Sequence, residues 1–370
     1  MKYYIIAGER SGDLHGSNLI REIKKRDLQA SFRGFGGDYM KAEGFDLIVH
    51  YEEMAFMGFT ALVTNVFTIA QKIRQCKKDI DQFKPDVIIL IDYGGFNRRI
   101  AKFGKENGFK VFYYIVPKVW AWYTSRAWEL KKNVDRMFVI LPFEKEFFRK
   151  YNVDVDYVGN PVLDAIKKFD PDHQFLDKNS ISPEKKIIAL LPGSRKMELK
   201  RIGSVMAEVA AANREYQFVV AAVKSLPDEL YAPFKSISNV KFIFDATYDL
   251  LMHADAALVT SGTATLETGL FKIPQVVLYK AGSLEYMALK KLVKVKYISL
   301  VNLIAGRLVI KELIQDDMTF KKVNDELTRI LTDKEYRNKM LSEYERVYEI
   351  LDTGSASENA AKLMIKYLGK

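Results

Sequence analysis

Pro85-Asp86-Val87-Ile88-Ile89-Leu90-Ile91 is an aliphatic run with no polar break after its second position, and the next residue is Asp92. A half-buried strand alternates apolar and polar residues, whereas unbroken Val, Ile and Leu mark a strand covered on both faces, as in a parallel sheet wrapped by helices. The runs Tyr3 to Ala7 and Val111 to Ile115 repeat the pattern, with helical periodicity between them, as from Leu14 to Lys25. This alternation predicts a doubly wound α/β domain, whose chemistry belongs just past the carboxyl ends of its strands.

The pattern restarts at Lys186-Ile187-Ile188-Ala189-Leu190-Leu191-Pro192-Gly193-Ser194-Arg195 and continues through Phe218 to Val223, Val240 to Phe244, Ala256 to Thr260 and Gln275 to Tyr279. A second doubly wound domain is expected there. The polar stretch Asp164 to Glu184 reads as the joint. The expected division is 1–166, a linker at 167–184, a second domain at 185–345, and C-terminal helices at 346–370 packing back toward the first domain. Two Rossmann-like domains facing across a cleft would place the ligand in that cleft.

Bulk properties narrow the function. The chain has 370 residues, 48% hydrophobic and 28% charged, enough for two cores and too apolar for a disordered tail. One cysteine, Cys76, and four histidines leave no material for a disulfide framework or a Cys/His zinc cluster, which points to a reducing compartment. The start is strand-like and carries no secretory signal pattern, so a cytoplasmic protein is expected. The net charge of +10 suits any polyanionic partner. Nucleic acid is not expected, because the lysines are dispersed and Tyr113, Tyr114, Trp120 and Trp122 lie in or beside an apolar strand. Asp154-Val155-Asp156 lies in a short candidate strand that points both carboxylates to one solvated face, and Asp170-Pro171-Asp172 lies in the joint. No metal and no cofactor are expected.

Four loops carry candidate chemistry. Ala7-Gly8-Glu9-Arg10-Ser11-Gly12-Asp13 follows the first strand and is either an anion-holding loop or a plain strand-to-helix turn; its glycine spacing is not that of a dinucleotide fingerprint. Asp92 ends its buried strand either as a general base facing the cleft or as the cap of the next helix. Gly193-Ser194-Arg195 brings a guanidinium fork to a strand end, for a diphosphate or for a surface salt bridge. In Ser261-Gly262-Thr263-Ala264-Thr265-Leu266-Glu267 a helix start with small residues can meet a diphosphate, with Glu267 accepting from ribose hydroxyls; the bland reading is an ordinary capped helix.

The uncharged segment Met54 to Gln71 includes Phe56, Met57, Phe59, Leu62, Val63, Val66 and Phe67 and gives way to Lys72, Arg74, Lys77 and Lys78. It fits a helix at an anionic membrane surface, with a core helix as the competing reading. Lys290, Lys291, Lys294 and Lys296 form a second basic cluster, for lipid or for solvent.

Taken in order, several motifs resemble those of the lipid-A-disaccharide synthases over nearly the whole chain. They are Ala7 to Asp13, Met57-Gly58, Ile91-Asp92 with Phe96-Asn97, Pro117-Lys118-Val119-Trp120-Ala121-Trp122, Leu141 to Glu144, Val158 to Pro161, Leu191 to Arg195, Ser261 to Glu267, and Ser299 to Gly306. The resemblance implies a GT-B glycosyltransferase, with UDP on the second domain and the acceptor on the first. It further implies UDP-2,3-diacylglucosamine and 2,3-diacylglucosamine 1-phosphate as substrates, and a peripheral position on the cytoplasmic face of the inner membrane. Asp92 would be the essential carboxylate and the candidate base, Glu9 would be a second catalytic residue in the N-terminal loop at the cleft, Arg195 and Ser261 to Glu267 would hold UDP, and Asn302 would complete the site. The chain departs from the family at Gly94-Gly95, where a proline and a second aspartate are frequent, at Val116, where serine is usual, and at Asn160, where histidine is common. Alternatives are another UDP-sugar transferase, an epimerase of the same fold, or a non-catalytic nucleotide-binding protein. Oligomeric state is not encoded legibly.

Overall fold

A computed structural model describes residues 1–54, 66–121, 124–282, 286 and 295–369. The chain forms two compact units, Met1–Pro161 with Thr353–Lys370, and Val162–Asp352.

The first unit is a seven-stranded parallel sheet of β1 (Lys2–Ala7), β2 (Ser31–Gly36), β3 (Asp46–His50), β4 (Val87–Ile91), β5 (Lys110–Tyr114), β6 (Arg136–Val139) and β7 (Asp156–Tyr157), in the order β3-β2-β1-β4-β5-β6-β7. The aliphatic run Val87–Ile91 is β4, buried at every position. Tyr4, Ile6, Ile88 and Leu90 enter one core, while Tyr3, Ile5, Val87, Ile89 and Ile91 enter another, as period-two side chains on a sheet covered twice must. The helices used below are α1 (Arg10–Lys24), α2 (Val66–Phe83) and α3 (Gly94–Glu106) in this unit, then α4 (Lys196–Ala212), α5 (Thr263–Leu270), α6 (Leu300–Ala305), α7 (Lys334–Leu351) and α8 (Ala356–Tyr367).

The second unit repeats the plan with β8 (Ile187–Leu191), β9 (Gln217–Ala222), β10 (Val240–Phe244), β11 (Ala256–Thr260), β12 (Gln275–Tyr279) and β13 (Glu312–Ile314), ordered β10-β9-β8-β11-β12-β13. Every described strand pairing in both sheets is parallel.

Three boundaries differ from expectation. The stretch 167–184 is part of the second unit, because Phe175 and Ile181 are buried against Ile187, Val219 and Leu250. Two apolar anchors among charges are enough to fold a segment that reads as a linker. At the other end α7 runs through residue 346 to Leu351 within the second unit, and the chain leaves it only at Asp352. From there α8 sends Ala360, Ala361, Met364 and Ile365 into the core formed by Tyr3, Ile5 and Ile89. In the third case, β7 begins only at Asp156, which accepts the Tyr367 hydroxyl at 3.1 Å, so the two aspartates there do not share a solvated strand face.

Candidate active site

β1 and β4 are adjacent, with Ala7 opposite Ile91, and from them the strand order runs outward in opposite directions. That is the topological switch point, where open α/β sheets bind ligands. Gly8-Glu9 and Asp92-Tyr93 therefore leave the sheet side by side.

The turn after β4 is strained and heavily braced. Asp92 and Tyr93 both have left-handed backbones, with φ of 43° and 48°. Each such non-glycine residue costs about 1–2 kcal/mol. The surroundings offset this cost: Asn97 Nδ2 donates to the Ile91 carbonyl at 3.1 Å and to the Asp92 carbonyl at 2.9 Å, and the Tyr113 hydroxyl donates to the Asp92 carbonyl at 2.6 Å. Tyr93 is held at both ends. Its hydroxyl donates to the Met54 carbonyl at 3.0 Å, and its ring lies where a Cβ on Gly8 would come within 2.2 Å. Gly8 is thus required by the neighbouring tyrosine.

The cap of α3 is Tyr93, with no side-chain capping bond, so Asp92 is not that helix's cap. Its carboxyl is pushed up to about 6, first by burial and then by the negative charge of Glu9, against the opposing pull of Lys118 and of the Tyr93 N–H. A carboxyl poised there is ionised at neutral pH and still basic enough to take a proton. Glu9 accepts the Ser11 hydroxyl at 2.6 Å and leads into α1. Asp13, one turn on, is committed elsewhere: it accepts the N–H groups of Gly37, Tyr39 and Met40 at 2.8, 3.0 and 3.1 Å.

In the second unit β8 and β11 form the corresponding switch point, with Leu191 opposite Val259. Gly193 has φ of 102°, and a Cβ there would come within 2.4 Å of Glu198 Oε2, which accepts the Arg195 N–H at 3.2 Å and so closes the start of α4. Ser194 is exposed, and the Arg195 side chain is 83% exposed, its ion pair among the described residues being a 3.5 Å contact to Glu198. Its guanidinium is open to a ligand. From β11 the chain passes Ser261 and Gly262 into α5, whose first N–H groups, at Thr263 and Ala264, face outward from a helix start. Ser261 donates to the Ile298 carbonyl at 3.0 Å. Glu267 accepts the Tyr248 hydroxyl at 2.9 Å, and burial raises its carboxyl above the usual range.

Two expected ligand contacts are spent internally. Asn302 is fully buried: Nδ2 donates to the Ile310 carbonyl at 2.9 Å and to Glu312 at 2.8 Å, while Oδ1 accepts from Val309 at 2.7 Å and Ile310 at 3.0 Å. Both amide hydrogens and both lone pairs are taken, so Asn302 braces the loop after α6 and has nothing left for UDP. Thr265 is likewise buried; its hydroxyl donates to the Gly262 carbonyl at 2.8 Å and accepts from the Leu300 N–H at 3.2 Å. Sequence spacing cannot separate a ligand-facing polar residue from one that ties a loop.

Tyr93 and Tyr113, which hold the Asp92 turn together with Asn97, read from sequence as core aromatics, and Asn97, though part of a family-like motif, shows no partner in its spacing. Of the apolar segment, Phe56, Met57, Phe59, Leu62 and Val63 lie outside the described residues, as do Trp122, Lys290, Lys291 and Lys294, and Val66 and Phe67 are described only as the backbone start of α2. Its flanks are described: Met54 on one side and Thr68, Ile69 and Lys72 on the other line one hollow with Tyr93 and Phe96. At the departures, Val116 is core, Asn160 Nδ2 donates to the Ile140 carbonyl at 3.0 Å, and Gly94 lies against Pro117, whose ring would be 3.0 Å from a Cβ there.

Among solved structures, the UDP-GlcNAc 2-epimerase of Neisseria meningitidis bound to UDP-GlcNAc matches with a TM-score of 0.65 at 16% identity, covering 100% of this chain and 99% of that one. A glycotransferase of kitacinnamycin matches at 0.67 and 13%, covering 99% of each chain. At these identities they share the fold, two Rossmann-like domains of the GT-B kind. Sequence relatives are nearer. The lipid-A-disaccharide synthase of Geobacter metallireducens is 38% identical over 99% of this chain and 97% of its own, and that of Coxiella burnetii is 32% identical over 97% and 96%. The family model described as lipid-A-disaccharide synthetase matches residues 3–365. With near-complete coverage by model and relatives alike, the chain belongs to the lipid-A-disaccharide synthase family of glycosyltransferases.

Proposed function

We propose that the chain transfers 2,3-diacylglucosamine from UDP-2,3-diacylglucosamine to the 6-hydroxyl of 2,3-diacylglucosamine 1-phosphate, giving a β-1,6-linked disaccharide 1-phosphate and UDP. The observation that carries the mechanism is Asp92, a carboxyl at the switch point of the first sheet with its acidity set near 6. As base, it takes the proton of the acceptor hydroxyl while that oxygen attacks the anomeric carbon. The carbon–oxygen bond to the diphosphate breaks in the same step, and the anomeric configuration inverts.

The departing UDP gains negative charge, which the exposed Arg195 fork and the N–H groups at the start of α5 are suited to receive. Glu267, which accepts the Tyr248 hydroxyl, would also accept from sugar hydroxyls. Glu9 keeps Asp92 basic through its charge.

Among the described residues no helix is long and apolar enough to cross a membrane. Acyl chains withdrawn from lipid cost about 0.8 kcal/mol per methylene, so the enzyme meets its substrates at the bilayer surface. The apolar segment of Phe56, Met57, Phe59, Leu62, Val63, Val66 and Phe67 is the proposed contact; its flanking residues Met54, Thr68, Ile69 and Lys72 line a hollow with Tyr93, the residue after Asp92. This reading places the protein on the cytoplasmic face of the inner membrane. Proton NMR of the product tests the displacement: a β coupling at the new anomeric carbon is expected, and an α product would contradict a single inversion.

A further inference from the structure

The two faces of the first sheet are covered by helices of unlike charge. Cys76 and Ile80 of α2, Ile100 of α3, Leu130 of the helix Arg126–Asn133 and Phe148 of the helix Phe143–Arg149 share one core, whereas α1 and α8 fill the other. The four helices of the first face carry thirteen lysines and arginines against six aspartates and glutamates. On α1 and α8 the figures are five against three, so the basic character of the unit is concentrated on one side. It is least compensated at the helices Arg126–Asn133 and Phe143–Arg149, where the carboxylates are already engaged. Glu129 is paired with Arg98 at 2.5 Å, Asp135 with Lys105, and Glu144 is buried on Trp120 Nε1 at 3.0 Å. Lys131, Lys132, Arg149 and Lys150 are exposed and make no ion pair among the described residues; Glu146 is the exposed carboxylate left to oppose them.

Among these cations stands Trp128, 53% exposed. It is held in place: the Tyr151 ring meets it edge-on at 5.5 Å, and the Lys131 ammonium lies 5.3 Å from its ring centre while donating to the Tyr151 carbonyl at 3.3 Å. Tyr151 in turn packs on Phe147 at 5.2 Å. A large indole fixed half in water, ringed by unpaired lysines and arginines, matches the chemistry of a lipid headgroup layer, where the ring enters the interface and the cations meet phosphates. We propose that Trp128, with Lys131, Lys132, Arg149 and Lys150, is a docking surface for an anionic phospholipid bilayer. The surface is separate from the segment Met54 to Gln71, but α2, which continues that segment, covers the same face of the sheet. The proposal rests on the reading that the enzyme meets its substrates at a bilayer, and it adds which side of the first unit faces the lipid.

The test is flotation of the full-length protein with vesicles of phosphatidylglycerol and phosphatidylcholine, against phosphatidylcholine alone. Wild type should bind the anionic vesicles, less so in about 0.5 M salt, and its tryptophan emission should shift to the blue. Trp128→Phe should lose most of that shift, and Trp128→Ala should bind about tenfold more weakly. The combined variant Lys131→Gln, Lys132→Gln, Arg149→Gln and Lys150→Gln should bind about 10²-fold more weakly. Both should melt as wild type does, and both should keep its turnover of detergent-dispersed substrates; a loss of turnover with the fold intact would assign the patch to the chemistry and overturn a docking role. If both variants bind anionic vesicles as wild type does, this face is refuted as the contact and the bilayer reading stands. Wild type that ignores both kinds of vesicle overturns the bilayer reading and this proposal together, and binding of an RNA oligonucleotide through the same four cations would then make the face a nucleic-acid surface.

Discussion

Asp92 is costly for the fold at the pH where it is useful. Its carboxyl lies near 6 in the folded chain against 3.8 for the ordinary group, so the folded state holds the proton more tightly than the unfolded one. The sign follows: the stability associated with this proton is fully present below about pH 4 and is lost as pH rises through about 6. Asp92→Asn, uncharged at any pH, should therefore melt higher than wild type at pH 8, with the gain vanishing toward pH 4, while kcat falls by about 10²–10⁴. Matched thermal melts at the two pH values check the first half. Arg195 and Asn302 make an opposing pair. Arg195→Ala removes an exposed fork and should weaken UDP binding about tenfold, as seen by calorimetric titration, with an unchanged melting temperature. Asn302→Ala strands four internal hydrogen bonds and should cost about 2–4 kcal/mol of stability in denaturant melts, with UDP affinity of the folded fraction preserved.

The candidate chemistry sits in loops at four strand ends, those of β1, β4, β8 and β11, and their positions are the most legible part of the sequence. A continuous aliphatic run announces a doubly covered strand, and the residues after it then lie past the strand's carboxyl end, as Asp92, Arg195 and Ser261 do after β4, β8 and β11. What was not legible is the brace. The left-handed turn at Asp92-Tyr93 carries no glycine at either position to mark it, and the groups that hold it, Asn97 and Tyr113, come from a helix and from another strand. Only a fold brings them together. Gly8 shows how narrow the fit is. Gly8→Ala drives a methyl into the Tyr93 ring and should cost about 1–3 kcal/mol in denaturant melts while lowering kcat, because the ring it displaces is part of the Asp92 turn.

At the scale of the whole chain, the two units are unequal in how they are completed. The second is continuous in sequence, whereas the first needs α8, contributed from residues 353 onward. The helix's small and flexible residues Ala360, Ala361 and Met364 are fully buried against the sheet. Removing residues 353–370 should therefore expose the first core and unfold or aggregate that unit, while a second thermal transition, that of Val162–Asp352, persists in calorimetry. The break at Asp352-Thr353-Gly354-Ser355 is legible in the sequence and coincides with the division between the units, between Asp352 and Thr353; the expected start at 346 lies inside α7.

The central claim is the reaction itself, performed through Asp92. It is tested most directly by mass spectrometry of detergent mixtures of UDP-2,3-diacylglucosamine, 2,3-diacylglucosamine 1-phosphate and purified full-length protein, wild type against Asp92→Asn. The account predicts the disaccharide 1-phosphate and an equal amount of UDP from wild type, and neither from the variant at matched concentration and folded state. Disaccharide from both would contradict Asp92 as the base, and a folded, UDP-binding wild type that makes none would contradict the proposed reaction.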